Sequence, residues 1–133
     1  MTRPVADRLG FKPGMRCLVQ GAPDGFDAGL PADAAPPHDL LLVFVRDAAA
    51  VATAAPEAER LYRDGARLWF AYPKRSGAIR TDIHRDHGWG PVEGRGLLPV
   101  AQVALDETWS ALRFRRRHEI ARLTRRSAGG AAA

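Results

Sequence analysis

The sequence contains one cysteine, Cys17, which excludes an intramolecular disulfide. It lacks any run of about 20 apolar residues, the length that a membrane-spanning helix needs, and its N-terminus lacks the apolar segment of a signal peptide. These absences predict a cytoplasmic protein with no membrane partner. Because Cys17 lies within the apolar run MRCLVQ, we interpret it as a small buried core residue rather than a nucleophile.

Lysine is also scarce, since two lysines stand against 18 arginines in a chain of net charge +5. Residues 1–112 carry 13 basic and 14 acidic side chains, for a net charge of −1. Residues 113–133 carry seven arginines against Glu119, for a net charge of +6. Clustered arginines attract nucleic acids non-specifically, so a nucleic-acid-associated function using this Arg-rich C-terminus is one alternative. A solvated basic tail is the plainer interpretation.

Short apolar runs alternate with helical segments along the chain. The continuous runs DLLLVFV (39–45) and ARLWFAY (66–72) are typical of strands buried on both faces. The length favours one domain over residues 1–117, followed by a flexible basic tail over residues 118–133. Further strands are predicted at 15–20, 97–105 and 110–117. A helix is predicted over 46–65, with Pro56 splitting this helix or opening a second one. Shorter helices are predicted to begin at Pro4, after a cap at Thr81 and Asp82, and at Pro91.

The order of these elements predicts an α/β fold with a three-layer, Rossmann-like and mostly parallel sheet that ends in an antiparallel hairpin. The four-residue link 106–109 is too short for a crossover, so the last strand must run antiparallel to its predecessor. We expect the strand order 1-2-3-5-4, numbered along the chain. This architecture resembles the later half of the class I S-adenosylmethionine-dependent methyltransferase fold. Removal of residues 118–133 is expected to leave the fold intact.

Four segments carry a more specific resemblance, namely GAPDGF, LWFAYPKRSG, TDIHRDHGWGP and VALDETWSALRF. Together, over residues 5–117, they resemble a family of small bacterial proteins, a domain of unknown function marked by WxAYPK and DETWSALRF motifs. The resemblance supports the α/β fold and implies no established activity.

Candidate binding residues lie in the loops after the predicted strands, because an open α/β sheet binds ligands outside the carboxyl ends of its strands. The loop PKRSGAIRT follows the third strand and offers the basic side chains of Lys74 and Arg75. The hydroxyls of Ser76 and Thr81 and the flexible backbone at Gly77 add further groups. Free amides at a helix start, with basic side chains nearby, suit a phosphate or carboxylate. The alternative is a solvated loop between a strand and a helix.

The loop GAPDGF after the first strand occupies the place of a glycine-rich nucleotide loop. Gly21 and Gly25 do not form the GxGxxG pattern, and Pro23 removes one amide donor. A structural turn is therefore preferred to a dinucleotide or S-adenosylmethionine site.

The hairpin turn supplies two carboxylates, an indole and a hydroxyl, from Asp106, Glu107, Trp109 and Ser110. One interpretation makes Asp106 or Glu107 a general base, with Arg113 as its partner across the hairpin. The other lets Asp106 and Thr108 satisfy turn amides while Trp109 covers the end of the core. The second interpretation is preferred.

His84 and His87, with Asp82 and Asp86 alongside, raise the question of a metal site, but no third distant ligand is evident and no metal or cofactor is expected. The leading hypothesis is a non-catalytic or weakly characterised small α/β protein whose pocket at the carboxyl edge binds a small anion or a phosphorylated metabolite. A degenerate methyltransferase-like enzyme is the alternative from another class. It is disfavoured because the expected cofactor loop and ribose-binding acid are absent.

Overall fold

A computed structural model describes residues 4–27, 29–31, 35–75 and 79–120. These residues form one five-stranded sheet, three helices and a final helical turn at 117–120. In chain order the elements are α1 (Val5–Arg8), β1 (Cys17–Gln20), β2 (Leu40–Phe44), α2 (Ala48–Leu61), β3 (Arg67–Pro73), α3 (Gly90–Glu93), β4 (Leu97–Ala104) and β5 (Trp109–Arg116). Each strand boundary lies within two residues of its predicted position.

The strands are arranged in the order β1-β2-β3-β5-β4. β1, β2 and β3 are parallel to one another, whereas β5 pairs antiparallel with β3 on one side and with β4 on the other. The predicted strand order and the antiparallel last strand are therefore confirmed, in a mixed α/β fold. The short link after β4 permits only a hairpin, so β5 is antiparallel to β4. β5 lies between β3 and β4 because it also pairs with β3.

One face of the sheet is covered by α2 and α3. Alternate strand residues such as Val43, Phe70 and Phe114 form a buried core with Val51 of α2 and Val92 of α3. The rings of Phe70 and Phe114 meet edge-on, with their centroids 5.5 Å apart. Full burial of one such aromatic side chain contributes about 2 kcal/mol, so this core holds the helices onto the sheet.

α2 is one continuous helix, although it contains Pro56. The prediction that Pro56 splits this segment or opens a second helix is therefore wrong. A proline removes one helical hydrogen bond, but the buried side chains of Val51, Ala55 and Ala58 hold both halves of the helix against the sheet.

The opposite face of the sheet is covered by α1 and by loop residues. Leu9 is fully buried there, and its carbonyl oxygen accepts a hydrogen bond from the Trp69 indole at 2.9 Å. The Arg8 guanidinium donates to the carbonyl oxygen of Ala104 at the end of β4. These two contacts fix the N-terminal segment across β3, β5 and β4.

β4 is an edge strand whose central residues are exposed. Its pairing with β5 changes register between Pro99 and Ala101. Val100, at the position of this shift, is 39% exposed. The register shift interrupts the regular ladder of β4 near its middle, and Pro99 has no amide hydrogen to donate there.

A buried carboxylate lies beyond the far end of β5. Glu119 is only 2% exposed, and it accepts hydrogen bonds from the amides of Gly65 and Arg116, each at 2.9 Å. The Tyr62 hydroxyl also donates to this carboxylate, and Arg115 forms an ion pair with it at 3.4 Å. Glu119 therefore ties the end of β5 to the turn between α2 and β3.

The expected tail over residues 118–133 includes Glu119, which the structure places inside the fold. Seven arginines in 113–133 indicate a solvated segment. Glu119, however, is held by donors from the turn after α2 and from β5. The fold thus receives contacts from a residue beyond 117, and the expectation that removing residues 118–133 leaves the fold intact stays a prediction.

We expect a chain that ends at residue 117 to be less stable than one that ends at residue 120. The shorter chain loses Glu119 and leaves the Tyr62 hydroxyl and the Gly65 amide without their acceptor, and each unsatisfied buried donor costs about 1–3 kcal/mol. Thermal melts of the two truncated chains should differ by roughly 5 °C or more. Equal melting temperatures would return the domain boundary to residue 117.

The pH dependence of stability provides a second test of Glu119. Burial raises the pKa of Glu119, but hydrogen bonds from Tyr62 and two backbone amides, with the charge of Arg115, outweigh burial and hold the pKa at about 2. Because this value lies below the ordinary 4.5, the carboxylate stabilises the fold above about pH 4.5 and loses that contribution as the pH falls towards 2.

We expect Glu119→Gln to lower stability at pH 7 and to flatten its decline between about pH 5 and pH 2. Urea denaturation at several pH values measures this difference. Glu93→Gln changes an exposed glutamate and should follow the wild-type profile. Parallel profiles for wild type and Glu119→Gln would show that this carboxylate contributes nothing specific.

Candidate functional site

The loops singled out in the sequence meet at the carboxyl edge of the sheet. Because β1, β2, β3 and β4 run in one direction, their ends lie at this edge together with the start of β5. The Lys74 amide donates to the Thr108 carbonyl oxygen at 2.8 Å, which holds the loop after β3 against the hairpin turn. Ser76 and Gly77, two of the predicted anion-binding residues, lie outside the described residues.

A pocket of about 430 Å³ opens at this edge, and we call it the Tyr72 pocket. Side chains from β3, β4, β5 and the loops after β3 form its walls. Its lining residues are Tyr72, Lys74, Arg75, His84, Arg85, Asp86, Gln102 and Ser110. Three of the predicted binding residues are brought together here, namely Lys74, Arg75 and Ser110.

Neutral polar groups from three adjacent strands form one wall of the Tyr72 pocket. The Gln102 side-chain amide donates to the Tyr72 hydroxyl at 2.7 Å, and Ser110 is hydrogen-bonded to the same hydroxyl. Burial raises the pKa of Tyr72, and Arg85 with the two hydrogen bonds opposes that rise only in part. Tyr72 is therefore a neutral phenol at physiological pH, and this wall can recognise a ligand by hydrogen bonds.

Cationic side chains surround this neutral wall. Lys74 and Arg75 follow β3 directly, and Arg85 comes from the loop that precedes α3. Arg85 forms an exposed ion pair with Asp86 at 3.4 Å, which is a weak interaction in water. His84 uses Nδ1 to accept a hydrogen bond from the Asp86 amide at 3.3 Å. Three permanent cations thus face one carboxylate in the lining of the pocket, and this balance favours an anionic ligand.

A second opening, of about 550 Å³, shares Arg75 with the Tyr72 pocket and lies at the N-terminus of α2. Here Asp47 accepts a hydrogen bond from the Ala50 amide at 2.9 Å, and Asp82 accepts one from the Ala48 amide at 2.7 Å. Two carboxylates therefore already occupy the helix N-terminus, where a bound anion would otherwise find free amides. This opening is the poorer anion site.

The expectation that Thr81 and Asp82 cap a helix of their own segment is wrong. Residues 79–89 contain no helix. Thr81 Oγ1 accepts a hydrogen bond from the Ile83 amide at 3.2 Å, whereas the Asp82 carboxylate caps α2 across the carboxyl edge. A capping residue normally precedes its own helix, so sequence alone gave no reason to pair Asp82 with Ala48.

Asp106 and Trp109 have structural roles in the hairpin turn. Asp106 Oδ1 accepts hydrogen bonds from the amides of Thr108 and Trp109, both at 2.8 Å. Trp109 is 5% exposed, and its ring meets Phe44 edge-on with the centroids 5.0 Å apart. These contacts favour the turn interpretation of this segment over that of a general base.

The remaining predicted residues lie apart from the Tyr72 pocket and from one another. Gly21 has a φ of +73°, and a Cβ atom there would lie 3.2 Å from the Phe44 carbonyl oxygen, so the turn after β1 requires glycine. Gly25 lines a third opening of about 360 Å³ beside Asp106, and Glu107 is exposed. Arg113 lies opposite Ala101 in the ladder, well along β5 from the turn. The predicted residues therefore do not form one constellation.

Sequence reasoning missed Tyr72, Arg85 and Gln102 as pocket residues. Tyr72 lies in an apolar run that predicts a buried strand, so its side chain is expected in the core and its hydroxyl is not expected in a pocket. Gln102 is the only polar side chain in LLPVAQVAL, and this exception was an available signal. The sequence does not show which partner Gln102 has, because Gln102 contacts Tyr72 only when β4 pairs with β5.

The metal-site question raised by His84 and His87 can be answered for the described residues. In residues 4–27, 29–31, 35–75 and 79–120, no group of three or more His, Cys, Asp or Glu side chains could hold a metal ion. The rings of His84 and His87 stack with their centroids 5.5 Å apart. No helix within the same residues has the length and apolar character needed to cross a membrane.

Comparison with known proteins adds no relative, because no family model matches the sequence and no curated protein shows significant similarity to it. Membership of the small bacterial family marked by WxAYPK and DETWSALRF stays a prediction. Function must therefore be inferred from the geometry of the site.

The capping of α2 by a distant loop leads to a stability prediction. Asp82→Ala removes the acceptor of the Ala48 amide and a negative charge at the helix N-terminus, and we expect a loss of about 1 kcal/mol. Asp86→Ala removes the same side chain from the same loop, but its exposed ion pair with Arg85 should contribute less than about 0.5 kcal/mol. Chemical denaturation measures both changes, and equal losses would mean that Asp82 has no special role.

Proposed function

We propose that the Tyr72 pocket binds a small anionic metabolite that carries a phosphate or carboxylate group. The observation that supports this proposal is the convergence of Lys74, Arg75 and Arg85 around the hydrogen-bonded wall of Tyr72 and Gln102. Charge-assisted hydrogen bonds from lysine and arginine are the usual means of holding such groups.

The two parts of the pocket suggest how a ligand is oriented. Its anionic group lies against Lys74 and Arg75, and an uncharged polar group lies against the hydroxyl of Ser110 and the Tyr72–Gln102 pair. A volume of about 430 Å³ suits a ligand of metabolite size, since small-molecule sites usually occupy 300–1,000 Å³. Binding without catalysis is the simplest function, because Asp106 is engaged with turn amides.

This proposal includes a Rossmann-like, three-layer reading of the fold, a bacterial origin and a cytoplasmic location. Open α/β sheets usually bind their ligands in the loops outside the carboxyl ends of the strands. The methyltransferase-like alternative gains no support from Gly21, whose conformation serves the turn after β1. A nucleic-acid-associated role of the Arg-rich C-terminus remains a separate hypothesis, and it does not involve the Tyr72 pocket.

Added phosphate should stabilise the wild-type protein beyond the effect of chloride at the same ionic strength, because a ligand that binds only the folded state stabilises it. At ten times its Kd the gain is on the order of 1 kcal/mol, or roughly 4 °C in Tm. We expect Lys74→Ala/Arg75→Ala to reduce this shift substantially. Thermal melts in matched buffers measure it.

The matched control is Lys12→Ala/Arg117→Ala, which also removes one lysine and one arginine, both exposed and outside the Tyr72 pocket. It should keep the wild-type response to phosphate. If the phosphate-dependent shift in Tm falls by the same amount in both double variants, the shift reflects overall charge. The loop after β3 would then be a structural connection and not a binding site.

A further inference from the structure

Three partly buried arginines form a cluster on the face of the sheet opposite α2. Arg113 and Arg115 continue the alternate positions of β5 that begin at Trp109. Trp69 is opposite Arg113 in the ladder between β3 and β5, so Arg67 and Arg115 are neighbours one step further along it. We call these three residues, Arg67, Arg113 and Arg115, the arginine cluster.

The arginine cluster has little negative charge near it. Arg115 pairs with Glu119 at 3.4 Å, but that carboxylate already accepts hydrogen bonds from Tyr62 and two backbone amides. Within the described part of the chain, neither Arg67 nor Arg113 forms an ion pair. The Nε atoms of Arg113 and Arg115 are buried and have no hydrogen-bond acceptor.

Partial burial of three positive charges with few acceptors lowers the stability of the fold. Arginine stays protonated in proteins, so the cluster cannot relieve its charge by losing protons. Burial lowers the pKa of Arg113, and the charges of Arg67 and Arg115 lower it further, while Tyr62 and Glu119 offset only part of this decrease. Buried charges are normally paired, and an unsatisfied buried donor indicates a missing partner such as an ion or water.

The chain itself offers few candidates for that partner. Fourteen of its 15 acidic side chains lie in the described residues, and Asp33 is the remaining one. The segment 121–133 contains three arginines and no acidic side chain. The counter-charge is therefore better sought in a ligand than in the protein.

We propose that the arginine cluster is a second anion site, which binds a small free oxyanion such as a phosphate group. Guanidinium groups from two adjacent strands match the several oxygens of such an anion. The turn at Gly10 closes over Arg67, because a Cβ atom there would lie 2.2 Å from Arg67 Nε. This close cover favours a compact anion over the backbone of a polymer.

The arginine cluster is separate from the Tyr72 pocket. Arg67 begins β3 and Lys74 follows its end, so these two residues lie roughly 23 Å apart along the strand. Arg113 lies closer, three residues along β5 from Ser110, which is roughly 10 Å. They also use opposite faces of the sheet, since Tyr72 belongs to the α2 side. Each site can therefore be tested while the other is disabled.

The experiment follows the arginine Nε–H signals of the ¹⁵N-labelled full chain by NMR during titration with inorganic phosphate at constant ionic strength. Arg113→Met and Arg115→Met assign the two signals. We expect both to move in a saturable way with phosphate, and to do so equally in Lys74→Ala/Arg75→Ala. An unchanged response in Lys74→Ala/Arg75→Ala would separate this site from the Tyr72 pocket, whether or not the Tyr72 pocket itself binds an anion.

Thermal melts of Arg113→Met give an independent readout. Replacing a partly buried charge that has no ion-pair partner among the described residues with an apolar side chain of similar length should raise Tm in chloride, and the phosphate-dependent gain from this site should disappear. Arg60→Met is the matched control, because Arg60 is exposed and already paired with Glu57; it should keep the phosphate response.

Two outcomes would overturn the proposal. One is the absence of saturable movement of the Arg113 and Arg115 signals, or equal movement with chloride. The other is movement with a short single-stranded oligonucleotide at concentrations far below those at which phosphate acts, which would make the cluster a nucleic-acid surface. The wild-type titration decides the matter even if Arg113→Met does not fold.

Discussion

β5 enters the sheet between β3 and β4 and forms hydrogen bonds with both, and the rest of the molecule is organised around this insertion. At the carboxyl edge it places Ser110 beside Tyr72, which joins three strands in one polar wall. At the opposite end it delivers Glu119 to the turn between α2 and β3. A single strand therefore builds both the candidate pocket and the anchor of the C-terminal segment.

The topology could be predicted from the sequence because it depends on local features. A continuous apolar run such as 39–45 indicates a strand covered on both faces, and a four-residue link can only reverse the chain. Pro56 and Glu119 could not be read in the same way. Helix packing outweighs the cost of the proline, and the burial of Glu119 depends on donors far from it in sequence, including Tyr62.

The candidate site was only partly predictable for a related reason. Lys74 and Arg75 follow an obvious strand, so the general rule for α/β sheets locates them. Tyr72 and Gln102 become partners only through a register that spans β5. Asp82 reaches α2 from a loop that resembles a helix start. Position along the chain predicts which edge a residue occupies, whereas its partner depends on the packed structure.

The irregular strand at the edge of the sheet has a consequence for behaviour at high concentration. An edge strand with an unbroken series of backbone donors and acceptors can template a strand from another molecule, and repeated addition leads to aggregation. In β4 the change of register at Val100 follows directly on Pro99. A foreign strand cannot continue a regular ladder across this point, so the edge resists open-ended growth without a covering helix.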